Sequence, residues 1–108
     1  MIVRACYDDD CDKAERFIDL LDVPERISQD IMAIQQLFFN WLYDKTNDHR
    51  YWIYRDGEKF GCSYGSDAFV DWLNTHYLNA DIEKATFLAQ NVAIKSVDLG
   101  DGTPQLNF

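Results

Sequence analysis

The chain has 108 residues, 19 of them Asp or Glu and 10 Lys or Arg, for a formal charge of −9. One core organises on the order of 100–150 residues, and 47% apolar with 15% aromatic content can fill one, which excludes disorder. No apolar run nears the roughly 18 residues that span a bilayer, no basic n-region leads into an apolar h-region, and too few bases are present to track a phosphate backbone.

Residues 1–108 read as a single domain. Ile2 to Tyr7 forms a first short strand, stopped by Asp8, Asp9 and Asp10. From Asp12 the apolar residues Ala14, Phe17, Ile18 and Leu21 recur at the spacing of one buried helix face, with Asp10 as N-cap. Pro24 ends that helix and opens the next. In the second helix Ile27, Ile31, Ile34, Phe38 and Trp41 make a 4-3-4-3 stripe, widened by Met32, Leu37, Phe39 and Leu42, which suits packing on a sheet. After Asp48 the period changes to alternation. Tyr51–Arg55 and Glu58–Cys62 flank Asp56-Gly57, a favoured two-residue hairpin turn. That turn pairs Arg55 with Glu58, Tyr54 with Lys59, Ile53 with Phe60, Trp52 with Gly61 and Tyr51 with Cys62. Tyr51, Ile53, Phe60 and Cys62 then face the core, and Trp52, Tyr54 and Lys59 face away.

Ser66 caps a third helix through Leu78. Residues 80–90 continue as a helix through Ile82, Ala85 and Leu88, or turn to strand at Thr86-Phe87. Val92–Val97 is a strand, and Gln105–Phe108 returns as a short edge after Pro104. The order predicts an α+β fold: an antiparallel sheet of about four to five strands with three to four helices packed mainly on one face.

The three cysteines, Cys6, Cys11 and Cys62, cannot all pair within the chain, which points to a reducing, cytoplasmic setting. Cys6 and Cys62 read as small hydrophobes in strands, and the aspartates around Cys11 disfavour a thiolate. His49 and His76 have no ligand partners at zinc spacing. Asp8–Asp12 lacks the 1-3-5 spacing and terminal Glu of a calcium loop, and Asp98–Gly102 holds two carboxylates in a turn. Ser63 and Ser66 beside glycines form no nucleophile elbow, and Gly61–Gly65 forms no phosphate loop. The expectation is a protein without catalytic residues, metal or cofactor.

Partner binding is the chemistry left to carry. On a helix, Asp12, Glu15, Asp19 and Asp22 fall within roughly 80° of one another, opposite the apolar face. Residues 1–30 hold nine acids against four bases. Such a stripe would attract a basic partner over long range. Trp52 and Tyr54 on the outer hairpin face supply aromatic anchors of the kind that dominate interfaces.

The stretch Tyr64-Gly65-Ser66-Asp67-Ala68-Phe69-Val70-Asp71-Trp72-Leu73-Asn74 resembles the strand-to-helix segment of contact-dependent growth inhibition immunity proteins, small acidic bacterial inhibitors. The resemblance covers about a tenth of the chain. It implies a cytoplasmic protein, monomeric until it binds, that masks the active site of a cognate toxin, often a basic nuclease. It assigns no residue, so the partner-binding set stays Asp12, Glu15, Asp19, Asp22, Trp52 and Tyr54. One rival is a phage- or plasmid-encoded DNA mimic of the anti-restriction or anti-CRISPR kind, which the acidic stripe suits equally well. The modest acid excess beyond residue 30 favours immunity. The other rival, a small-molecule enzyme or sensor, needs a pocket that the sequence does not announce.

Overall fold

The computed structural model describes residues 1–7, 17–93 and 103–108. Strand β1 (Ile2–Cys6) is followed by β2 (Phe17–Asp22), a short helix α1 (Glu25–Ser28), helix α2 (Ile31–Leu42), the hairpin strands β3 (Trp52–Arg55) and β4 (Glu58–Cys62), helix α3 (Ser66–Trp72), a π-helical turn (Leu73–Tyr77), β5 (Thr86–Ala93) and β6 (Gln105–Asn107). The class is α+β, as expected. The sheet is split: four strands in the order β5-β2-β1-β6, and β3-β4 as a separate ribbon. The larger sheet is mixed, because β1 pairs antiparallel with β2 but parallel with β6. Among the described residues no helix is long and apolar enough to cross a membrane.

The main departure lies at residues 17–22, expected on a helix and found on the interior strand β2. Ile18 and Leu20 lie on one side of this strand, and Asp19 and Leu21 on the other. Ile18 joins Cys6 and Leu20 in a small cluster, while Leu21 enters the main core with Val3 and Leu106. A strand covered on both faces loses its alternation, and Phe-Ile-Asp-Leu-Leu then fits a helical period by accident. The expected helix over 12–16, its Asp10 cap and Asp12 and Glu15 lie outside the described residues.

Helix α2 follows the predicted stripe. Ile31, Ile34, Phe38 and Leu42 are buried, and Phe38 stands at the centre of the core. Its ring lies 5.4 Å from Phe69, 5.7 Å from Trp72, 6.0 Å from Tyr64 and 6.3 Å from Trp41. The single long helix expected after Pro24 is broken at Gln29-Asp30 into α1 and α2. Gly65, not Ser66, holds the N-cap position of α3. Helix α3 ends in the π-helical turn, which the Leu78 amide closes on the Leu73 carbonyl. Asn74 then stands in for a backbone partner: its amide donates to the Ala85 carbonyl and accepts from the Ala85 N–H. Residues 86–93 therefore leave as a strand, which decides between the two readings of 80–90.

The hairpin turn is as predicted, with Asp56 at φ 53° and Gly57 at φ 80°, the left-handed pair that a type I′ turn requires. Arg55–Glu58 and Tyr54–Lys59 pair as expected. A bulge at Phe60 then shifts the ladder, so Ile53 meets Gly61 and Trp52 meets Cys62. The inserted residue re-aims part of the ribbon, while Tyr51 and Cys62 still pack against the core as expected. Trp52 is 8% exposed, whereas Ile53 is 44% and Phe60 63% exposed, the reverse of the expected core. Cys6 is buried as expected, but it is disulfide-bonded. Cys62 is a free thiol, pushed up by burial.

Candidate interaction surface

The six residues expected to bind a partner are dispersed. Asp12 and Glu15 lie outside the described residues. Asp22 is at the surface, where it accepts from the Met1 amino group at 3.0 Å. Tyr54 is exposed on the ribbon. Asp19 and Trp52, expected at the surface, are both structural.

Asp19 is 3% exposed. Its carboxylate accepts from the Tyr7 hydroxyl at 2.5 Å, the Ser66 hydroxyl at 2.7 Å and the Asn91 N–H at 3.0 Å. The Tyr7 oxygen in turn accepts from the Ser66 N–H at 2.9 Å, at the start of α3. Asn91, at φ 55°, adopts the left-handed conformation that Asn tolerates better than most residues. It lies where the β2–β5 ladder shifts register. A Cβ at Gly65 would come 2.8 Å from the Asp67 carboxylate, which would have to turn aside, and 3.4 Å from the Tyr7 hydroxyl. Desolvation first, then the bond to Asp19, raises the Tyr7 phenol above its ordinary range. This knot ties β1, β2, β5 and α3 together and satisfies a buried charge.

Trp52 anchors the ribbon. Its indole N–H donates to the Asn47 carbonyl at 2.7 Å, and its ring stacks on His49 at 4.8 Å and 8°. His49 donates from Nε2 to the Leu42 carbonyl and accepts at Nδ1 from the Tyr51 N–H, which sets its tautomer. Trp41 follows, 4.8 Å from His49, with His76 5.0 Å from Trp41. The Lys59 ammonium closes the other end, 5.3 Å over Trp52, where it donates to the Lys45 and Asn47 carbonyls and to Asp48. His49 was expected to be an exposed turn residue, and it is instead half-buried in this row.

The surface best suited to a partner runs along the outside of α2. None of the twelve residues Ile31–Leu42 is charged, in a chain where 27% are. Met32 and Tyr43, eleven residues and about three turns apart, stand on one line and are 68% and 52% exposed. Phe39 lies between them and touches half-buried rings on both sides: Tyr64 at 6.0 Å, and Phe108 at 6.2 Å, which continues to exposed Tyr7 at 6.1 Å. At the other end Met1, Pro104 and Gln105 line a groove beside Met32. The nearest charges along the chain, Asp30 and Asp44 at the two ends of α2, are acidic. A charge-free helix was visible in the sequence. The rings that complete the patch come from the residues that follow β1 and β6 and from the β4–α3 connection, and only the fold brings them together.

No protein-family model, curated protein or solved structure matches this chain.

Proposed function

We propose that the chain is a non-enzymatic, protein-binding inhibitor of the immunity type, which masks a basic toxin domain. The observation that carries this reading is the uncharged aromatic patch on an otherwise acidic protein. Interface centres are depleted in charge and enriched in Tyr, Phe and Met, and hot spots cluster there. The partner face that fits is an apolar patch rimmed by Lys and Arg, drawn in by the −9 charge. Among the described residues no group of three or more His, Cys, Asp or Glu could hold a metal, and Cys62 is the reduced thiol of a strand residue donating to the Leu42 carbonyl. A DNA mimic draws less support, because Asp19 of the expected acidic stripe points inward. The half-cystine at Cys6 fits an oxidising compartment better than the expected cytoplasmic one, and masking a toxin protects the producing cell in either.

The test is binding to the toxin domain encoded beside this gene, measured for the parent, Tyr43→Ala and Met32→Glu. Both variants are expected to fold, since both side chains are exposed, and to dissociate at least tenfold faster. Unchanged dissociation for both removes the patch from the proposal, and the absence of any toxin-type partner removes the immunity reading.

A further inference from the structure

We propose that the outer face of the β3–β4 ribbon is a self-association surface, on which a second copy of this chain docks about a two-fold axis. The proposal is independent of the α2 patch and of any toxin. The bulge makes the surface. Phe60 and Gly61 together oppose Ile53, and the side chains of Ile53 and Phe60 both turn to solvent. The Arg55 guanidinium lies over the Phe60 ring at 5.3 Å and still leaves that residue 63% exposed. Beside the ring, Gly61 leaves the backbone bare. Apart from its chain neighbours, nothing stands within 4 Å of where a Cβ would be. Its φ lies outside the left-handed region, so backbone conformation does not call for glycine there. A strand glycine under open space marks a place where another chain can approach closely.

A projecting ring next to a bare hollow is self-complementary, because under a two-fold axis each ring enters the hollow of the other copy. The opposite face of the ribbon is already taken: Trp52 is buried, and Lys59 is held by the Lys45 and Asn47 carbonyls and by Asp48. Among the described residues the ribbon pairs with no further strand. Charge selects the occupant. Residues 51–62 hold two bases, Arg55 and Lys59, and two acids, Asp56 and Glu58, so the whole charge of −9 lies elsewhere in the chain. A basic partner gains no steering from this neutral face. A second copy, repelled by the acidic remainder, meets no net repulsion here.

The test is sedimentation equilibrium of the whole chain from roughly 1 to 500 µM, at about 0.05 and 0.5 M salt. A reversible dimer is expected, tighter by about threefold or more at the higher salt, because screening relieves repulsion between two chains of charge −9. Attraction of a basic partner weakens over the same range, so the two associations carry opposite salt signs. Phe60→Ala removes the ring and Gly61→Val fills the hollow. Each should weaken the dimer by roughly tenfold or more. Neither should lower the melting temperature of the dilute monomer by more than about 3 °C, and valine, the better strand residue, should raise it. A monomer throughout, or a dimer that keeps its affinity in either folded variant, would overturn the proposal. So would a dimer held covalently through Cys62 on a non-reducing gel. Loss of the dimer in Met32→Glu would overturn it as well, by moving self-association to the α2 patch. A failed toxin assay leaves the dimer standing, and a monomeric chain leaves the toxin reading standing.

Discussion

Replacing Asp19 by alanine removes the acceptor of three hydrogen bonds at a position that is 3% exposed. The three donors left behind differ in their access to water. Tyr7 is exposed enough to turn its hydroxyl to solvent and Asn91 is also at the surface, but Ser66 is fully buried and has nowhere else to donate. Bonds to a charged acceptor contribute roughly 1.5–3 kcal/mol each, and a stranded buried donor costs about 1–3. With two donors rehydrated, the net loss comes to roughly 3–5 kcal/mol. For a domain near this size each kcal/mol moves the melting temperature by about 4–8 °C, so Asp19→Ala should melt on the order of 15–30 °C lower. Ser66→Ala removes one such bond and should cost about 1.5–3 kcal/mol. The double variant should cost less than the sum of the two, since both act on one bond. The assay is thermal or urea unfolding of all four proteins. A melting temperature for Asp19→Ala within about 3 °C of the parent would refute the buried knot.

Trp52→Ala should destabilise the chain by about 3–5 kcal/mol in urea unfolding, through loss of a buried indole, whereas Ile53→Ala should change it by less than about 0.5 kcal/mol because that side chain faces water. The opposite ranking would mean that the ribbon keeps the unbulged register. Tyr7 and Tyr64 both have phenols raised above the ordinary value of 10.0, each chiefly by desolvation. The folded state therefore holds these protons more tightly than the unfolded one. Their contribution is complete below about pH 10 and is lost as pH rises towards the folded-state values. Alkaline melting curves should fall above that pH, and less steeply for Tyr7→Phe and Tyr64→Phe; an unchanged slope in both would contradict the assignment. Association with a basic partner should slow tenfold or more between about 0.05 and 0.5 M salt, as the Debye length contracts to a few Å, and a stopped-flow rate indifferent to salt would remove steering from the account.

What the sequence disclosed and what it hid divide along the range of the interactions. Helix α2 was legible because its stripe is local, and the hairpin turn because Asp56-Gly57 favours one turn type. The ladder was legible only as far as Lys59. Nothing in Phe60 marks it as the bulged residue; Ile53 and Phe60 are left at the surface and Trp52 is buried, while Tyr51 and Cys62 still pack against the core. Residues 17–22 misled because both sides of β2 are covered. Asp19 could not be recognised as buried, since its donors Tyr7, Ser66 and Asn91 lie 12, 47 and 72 residues away. The patch lay half in view. The absence of charge along α2 was there to be read, but Met32 and Leu37 share the apolar character of the buried stripe they were expected to widen, and only the fold leaves them 68% and 49% exposed.

The parallel pairing of β6 with β1 has a consequence for synthesis. Arg4 lies beside Gln105 and Ala5 beside Leu106, so this contact joins positions about 100 residues apart. In the simplest polymer estimate, closing a segment of that length costs roughly 4 kcal/mol of chain entropy. On the ribosome, β1 emerges first and can pair with β2 early, yet its other edge has no neighbour until residues 105–107 are made. Leu106, wholly buried in the finished core, is missing for the same interval. Until then the nascent sheet carries an open edge over an incomplete core, the condition in which strands pair with the wrong chain. Translation speed and chaperone supply, more than the stability of the finished fold, should then govern how much of this protein reaches its native state.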